Sequence, residues 1–368
     1  MKNRITIIGA GNGGVTAAYH LSALGREVCL YDAPEFDTQI RAIGAAGGVT
    51  ALEELHGRPL LFPGFQPVAR VTTSMEEAAA FSDTLVMICP SFAQEFMFSA
   101  LLPYLREGHI VMAVPGNFAS LVFKKMLDAS PKKGLNITFA DCISLPWATR
   151  LGGPAKVCIM GLKEFLPLSI FPKTNATPEV REKLQAALPI PAEFLDSPIQ
   201  AGLENINFGG HPLLTTVNIG LLENFDGNFT YYRDCCSPST ARASAKMDLE
   251  RLAVGQALGL PLRTELEAMN ALYAADCKTV YDFNRGSPVH EKLKDAPNTA
   301  KARYITEDVP YLLVPIYLLA RKLGVRADLM RSVICLASAY NDEDYLTTGR
   351  TLEKMGLDSL TPEELCAL

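Results

Sequence analysis

Five histidines are the only side chains in this chain that titrate near neutral pH without help from their surroundings, so a general acid or base is sought among them first. His211 stands apart by its neighbourhood, Asn205-Ile206-Asn207-Phe208-Gly209-Gly210-His211-Pro212. Asn207 precedes it by four residues, so a helical turn would set amide and imidazole on one face. His20 falls in a helical run and faces packing or solvent. His56 and His109 lie in polar, loop-like stretches, and His290 follows Gly286-Ser287-Pro288 in a loop. Asparagine and histidine near a helix start also serve as caps, and spacing alone leaves both readings open.

The second cluster is Arg303-Tyr304-Ile305-Thr306-Glu307-Asp308-Val309-Pro310. A guanidinium at Arg303 can hold a carboxylate through two parallel hydrogen bonds. Asp308 stands before a proline and a long apolar helix, where a carboxylate can orient a histidine and stabilise its charged form. The same acids can simply cap the helix that follows.

The third motif is Gly9-Ala10-Gly11-Asn12-Gly13-Gly14, which fits G-x-G-x-x-G at Gly9, Gly11 and Gly14. It follows a β-branched run at once and opens a helix, the context in which the pattern signals a dinucleotide. Gly9 permits the tight turn, Gly11 lets backbone approach the pyrophosphate, and Gly14 lets helix pack on strand. The helix start offers free N–H groups and partial positive charge to phosphates. Asp32 ends the next strand, where a carboxylate accepts the ribose hydroxyls and repels a 2′-phosphate, favouring NAD; Arg41 keeps NADP possible. Pro90-Ser91-Phe92 and Pro115-Gly116-Asn117 follow the fourth and fifth strands, so Pro90 and Asn117 join the cofactor-binding candidates. Ordinary turn chemistry explains those two loops equally well.

These residues need a scaffold that alternates. Ile5 to Ile8, Val28 to Tyr31, Thr84 to Cys89, Ile110 to Val114 and Ile137 to Ala140 read as strands, with helical stretches such as Val15 to Leu24 between them. That order predicts a mostly parallel sheet with helices on both faces. Lys156 to Met160 and Leu166 to Phe171 read as two further strands extending that sheet, antiparallel at its edge. Pro172 to Pro198 reads as one helix between loops and marks the boundary. An α/β Rossmann domain over residues 1–185 and an all-α domain over 195–368 are therefore expected. The second would be built from Ala241 to Leu258, Thr264 to Phe283, Val309 to Leu323 and Asp328 to Tyr340. His211 falls just after the change, where a cleft would form.

Composition narrows the function further. The 368 residues are 48% apolar and 20% charged with a net charge of -6, a globular profile that gives no electrostatic reason to expect nucleic acid or an anionic membrane. No apolar run of about 20 residues is present to span a bilayer, and Met1-Lys2-Asn3-Arg4 runs into a strand without a signal-peptide core. Nine scattered cysteines, with no C-x-x-C and no paired Cys/His spacing, read as reduced thiols of a cytoplasmic protein without a structural metal.

Taken together, the glycine motif, Asn207 with His211-Pro212, the block from Arg303 to Pro310 and Gly349-Arg350-Thr351-Leu352 resemble the opine dehydrogenase family, which includes octopine and nopaline dehydrogenases, over essentially the whole chain. The resemblance implies an enzyme that condenses the amine of an L-amino acid with a 2-oxo acid such as pyruvate, using NADH or NADPH. It implies a His–Asp pair, here His211 and Asp308, with Arg303 and Asn207 on the substrate. Tyr281, Asp282 and Glu307 are possible contacts for the amino acid, and the enzyme would be a monomer or homodimer. A simple 2-oxo or 3-oxo acid reductase, like ketopantoate reductase or glycerol-3-phosphate dehydrogenase, shares the architecture and needs no amine. A nucleotide-sensing protein without turnover is the reading from another class.

Overall fold

The structure is a computed structural model that describes residues 4–286 and 296–368; His290 lies outside them. The chain divides into two compact units, Met1–Pro198 and Ile199–Leu368.

The first unit is built on an eight-stranded sheet. Its spatial order is Ala192–Leu195, Leu166–Phe171, Thr138–Cys142, Ile110–Ala113, Thr84–Met87, Arg4–Ile8, Glu27–Tyr31 and Arg70–Thr72. All neighbours are parallel except Leu166–Phe171 against Thr138–Cys142. From Arg4–Ile8 the chain first winds one way, through Glu27–Tyr31 and Arg70–Thr72. It then returns to the other flank at Thr84–Met87, so the order reverses beside the glycine motif, the place where doubly wound sheets take ligands. Continuous burial explains the strands: Ile5, Ile7 and Ile8, Val28 to Leu30, and Val111 to Ala113 are almost wholly buried. On one face, Phe98 stacks on Phe123 with ring centroids 4.3 Å apart and Phe139 beside them, each ring contributing about 1.5–3 kcal/mol by burial.

Three sequence expectations are corrected here. Lys156–Leu162 does not extend the main sheet. It forms a hairpin with Trp147–Gly153 in a separate four-stranded sheet that also holds Gly48–Ala51 and Gly64–Pro67. That sheet covers the outer face of the first helix, Asn12–Ala23, through Thr16 Oγ1 to Thr149 Oγ1 at 2.7 Å and Trp147 Nε1 to His20 Nδ1 at 2.9 Å. Leu166–Phe171 is antiparallel as expected, yet it is not the edge, because Ala192–Leu195 pairs outside it. The stretch expected to be one helix between loops therefore contains a helix, Pro178–Ala186, and a strand, and the first unit continues past residue 185 to Pro198.

The second unit is helical. Its longest helix, Pro238–Ala257, begins with a capping box between Ser237 and Thr240. The stretch expected to be a single helix from Thr264 to Phe283 is broken into Glu265–Leu272 and Val280–Gly286. The side chain of Asn270 bonds both backbone groups of Cys277 at 2.9 and 3.0 Å, offering the chain a local alternative to the helix. Pro310 and Pro315, which have no N–H to donate, shape the start of the next helical run: Val309–Leu313 is a wide turn that leads into Val314–Lys322.

Candidate active site

In the first unit each glycine of the motif meets a distinct constraint. Gly9 has φ +108°, and a Cβ there would lie 2.3 Å from the Ile88 carbonyl oxygen. A Cβ on Gly14 would lie 1.7 Å from the Gly9 carbonyl oxygen, so helix and strand touch at that point. Gly13 packs on Ile88 and Leu145. A Cβ added at Gly11 would meet nothing within 4 Å. That open space adjoins a helix start with no side-chain cap and no acidic residue in its first turn, so the site suits a phosphate.

Asp32 is buried, and burial pushes its carboxyl above the ordinary range, opposed by two N–H donors. Ala10 N–H donates to Oδ2 and Ala33 N–H to Oδ1, both at 2.8 Å. The acid thus shapes the glycine loop, and each oxygen retains a lone pair for a ribose hydroxyl. Asn12 accepts the Leu151 N–H at 2.9 Å, tying the motif to the small sheet. The two loops at the strand ends are joined: Asn117 Nδ2 donates to Ser91 Oγ at 2.9 Å, beside Pro90, and Gln94 Nε2 donates to the Pro115 carbonyl at 2.7 Å. Arg41 is mostly exposed and pairs with Asp37 at 3.2 Å.

In the second unit the structure brings His211 and Asp308 together. His211 sits at the joint between Asn207–Gly210 and Pro212–Val217, where Pro212 starts a new helix and His211 N–H donates to the Asn207 carbonyl at 3.2 Å. Asp308 Oδ2 lies 2.8 Å from His211 Nδ1, with 5% of Asp308 and 9% of His211 exposed. Burial pushes the Asp308 carboxyl up, and the imidazole opposes that shift. The Tyr232 hydroxyl lies 2.8 Å from His211 Nε2. The Tyr304 ring stacks on the imidazole, with centroids 3.8 Å and planes 10° apart. Tyr231 fixes the backbone below, its hydroxyl donating to the carbonyls of Gly210 and His211 at 3.2 Å. Adjacency in Tyr231-Tyr232 and the place of Tyr304 beside Arg303 were the available signals for these rings, but nothing in the spacing tied them to His211.

Arg303 is half exposed and donates through Nε to Glu307 Oε2 at 2.6 Å, with NH2 on the same oxygen. Its other N–H groups remain for a ligand. Asn207 is half buried one turn before His211. Gly349 packs where a Cβ would lie 2.6 Å from the Pro310 carbonyl oxygen. Arg350, fully buried, donates its N–H to that oxygen at 2.8 Å and lays its guanidinium against Tyr311, 5.1 Å from the ring centroid. The carboxy-terminal motif thereby braces the turn that carries Asp308.

Tyr281 and Asp282 line a cavity of about 620 Å³ with Glu265, Leu266 and Leu249. Tyr281 is covered by Arg285 and Asp282 accepts from Thr279 Oγ1 at 2.7 Å. His20 accepts from Trp147. His109 stands in the loop before Ile110–Ala113, as expected, but is fully buried there, with the Arg106 backbone N–H 3.3 Å from its Nδ1 and Arg106 Nε 3.2 Å from its Nε2. His56 stands in a two-residue turn with φ +52°.

Residues 195–341 match the family described as NAD/NADP octopine/nopaline dehydrogenase, alpha-helical domain. The chain is 28% identical to the opine dehydrogenase of Arthrobacter sp. (strain 1C), over 96% of this chain and 95% of that one. It is 24% identical to the protein ocs of Agrobacterium vitis, over 96% and 95%. A solved octopine dehydrogenase with NADH and L-arginine superposes with a TM-score of 0.76 at 20% identity, covering 99% of this chain and 98% of the other.

Proposed function

We propose that this chain is a member of the opine dehydrogenase family, which its helical domain matches, and that it joins the amino group of an L-amino acid to the keto carbon of a 2-oxo acid such as pyruvate, and reduces the resulting imine. The observation that carries the chemistry is the buried His211 Nδ1–Asp308 Oδ2 contact of 2.8 Å. A carboxylate that fixes one ring nitrogen sets the tautomer and stabilises the charge the ring gains when it takes a proton.

The cofactor is NADH or NADPH, which when bound supplies the hydride that reduces the imine carbon. Gly9 to Gly14 would cradle its pyrophosphate at the helix start, and Asp32 would accept its ribose hydroxyls, which favours NADH. Arg303, oriented by Glu307, would anchor the oxo-acid carboxylate with its remaining N–H groups. Asn207, one turn before His211, would hold a polar group of the substrate. His211 would take the proton that the amino acid must lose before its nitrogen can attack, and return one when water leaves. We place the protein in the cytosol, where its nine free thiols stay reduced.

The test is NADH oxidation with pyruvate in the presence and absence of a panel of L-amino acids. Turnover that requires an amine supports the proposal and names the donor. Turnover with the oxo acid alone would make the protein a simple 2-oxo acid reductase. NADH binding without turnover in any mixture would leave a nucleotide sensor.

A further inference from the structure

The first helix, Asn12–Ala23, is under two demands that conflict. Its first N–H groups must stay open to take phosphate oxygens, and no side chain caps them: Gly11 stands at the cap position. A helix start without a cap frays, and donors that must be ordered on binding hold a ligand less tightly than donors already fixed. The helix therefore has to be held from outside its own sequence.

The small sheet holds it along a line of contacts. Asn12, Thr16 and His20 are spaced four residues apart and form one stripe along the helix. Trp147, Thr149 and Leu151 are spaced two apart along the strand Trp147–Gly153. The two sets pair in antiparallel order. Leu151 N–H donates to Asn12 Oδ1 at 2.9 Å, the hydroxyls of Thr149 and Thr16 lie 2.7 Å apart, and Trp147 Nε1–H donates to His20 Nδ1 at 2.9 Å. Four residues of helix advance about 6 Å and two residues of strand about 6.6 Å, so the contacts stay in step from the first turn to the last.

The middle contact reaches the backbone of the motif. Thr16 Oγ1 lies 2.7 Å from the Asn12 carbonyl oxygen and Thr149 Oγ1 lies 3.0 Å from that of Cys158. Whichever hydroxyl donates across the pair, the other donates to a carbonyl. Just ahead of the strand, Leu145 packs on Gly13 itself. Thr16, His20, Trp147 and Thr149 are almost wholly buried, so none of them is open to a cofactor. Packing alone would need no polar atoms here. Hydrogen bonds are directional, and a row of them fixes the position of the helix as well as its burial.

We infer that the small sheet is a positioning device for dinucleotide binding, and that Thr149 and Trp147 set the affinity for NADH without touching it. The inference rests on the glycine motif holding the pyrophosphate, as proposed above. The sheet does from the side what a capping side chain does from the front: it fixes the first turn while leaving the N–H groups of that turn to the ligand. The effect belongs in binding, because the contacts bear on Asn12 and Gly13 and on no residue assigned to proton transfer.

The experiment compares wild type with Thr149→Val, which keeps the shape and loses the hydroxyl, Thr149→Ser, which keeps the hydroxyl, and Trp147→Phe, which keeps a ring and loses the N–H. Kd for NADH is read by fluorescence titration well below each Tm, so that unfolded protein does not enter it. Thr149→Val and Trp147→Phe are each expected to raise Kd about three- to tenfold, with Thr149→Ser within about twofold of wild type. At saturating NADH, kcat in the amine-dependent assay should stay within about twofold. As competitors of NADH, ADP should weaken as much as NADH does, because it carries the pyrophosphate, whereas adenosine, which has only the ribose contact at Asp32, should weaken less than about twofold. A lowered Tm with unchanged Kd would overturn the inference and leave the sheet a structural cover. Equal losses for ADP and adenosine would overturn it too, because the site would then be distorted as a whole. Either variant decides the matter alone should the other not fold. These outcomes are separate from the proposed function: a wild type that does not bind NADH removes the glycine site, whereas equally tight binding by wild type and both variants removes the positioning role only.

Discussion

The imidazole of His211 and the phenol ring of Tyr304 lie face to face, 3.8 Å apart between centroids and 10° from parallel. The stack holds the ring in the plane that lets Nδ1 meet Asp308 and Nε2 meet Tyr232 at once. Offset or stacked aromatic pairs contribute about 0.5–1.5 kcal/mol beyond burial. Tyr304→Leu is expected to lower kcat about tenfold by freeing the ring, while Tyr304→Phe, which keeps the stack, stays within about threefold. Steady-state kinetics of the two variants decide it. Equal losses in both would assign the effect to the hydroxyl.

Asp308→Asn removes the charge that steadies His211 and allows an amide N–H to face Nδ1, which favours the wrong tautomer. By analogy with other carboxylate–histidine pairs, kcat should fall by about 10³- to 10⁴-fold. NADH affinity should be unchanged, because Asp32 and the glycine motif belong to the other unit. Fluorescence titration beside turnover checks both halves of the expectation.

Gly11 and Gly14 carry the same residue type for opposite reasons, and alanine separates them. Nothing lies within 4 Å of a Cβ at Gly11, whereas at Gly14 it would lie 1.7 Å from the Gly9 carbonyl. Gly11→Ala should keep its stability within about 0.5 kcal/mol and lose NADH affinity, since the methyl occupies the space of the pyrophosphate. Gly14→Ala should destabilise the first unit by about 3 kcal/mol or more. Thermal unfolding with and without NADH distinguishes the two. A Gly11→Ala protein that binds NADH normally would show that the loop does not hold the phosphates.

Glu265 is buried against Gly209, two residues before His211. Its Oε2 accepts the Ser244 hydroxyl at 2.7 Å, and burial raises its pKa from 4.5 to about 7. A raised acid pKa means that the folded state holds the proton more tightly than the unfolded state does. Its contribution is therefore complete below about pH 4.5 and lost as pH rises towards 7. The loss is about 3 kcal/mol. Glu265→Gln cannot ionise, so its stability relative to wild type should climb across that window and level off above it. Denaturant unfolding of both proteins from pH 4.5 to 8 tests this, and a pH-independent difference would show that Glu265 does not titrate there.

Much of the first unit was legible because its strands are buried on both faces and read as short continuous apolar runs, Ile5 to Ile8 and Val28 to Tyr31 among them. Lys156 to Leu162 has the same character, and nothing local says which sheet it joins. The hairpin with Trp147–Gly153 decides that, through long-range pairing. Ala192–Leu195 was missed because a half-buried edge strand of Ala-Glu-Phe-Leu shows neither alternation nor β-branching. At the site, His211, Asp308 and Arg303 were singled out by residue type and by resemblance. The Tyr304 stack and the Tyr232 hydrogen bond were not, because contacts between residues 211, 232 and 304 depend on how short helices turn back on one another.

The brace beneath Pro310 has a consequence for how the protein is made. The turn that aims Asp308 at His211 rests on Gly349 and Arg350, some forty residues later in the chain, with Arg350 wholly buried against it. On the ribosome, the nucleotide-binding unit can complete its sheet once Leu195 has emerged. The proton-handling centre has to wait until Gly349 and Arg350 have emerged as well. A chain released early, before residue 350, would thus retain a nucleotide-binding fold without a working partner for it, an NADH sink in place of an enzyme.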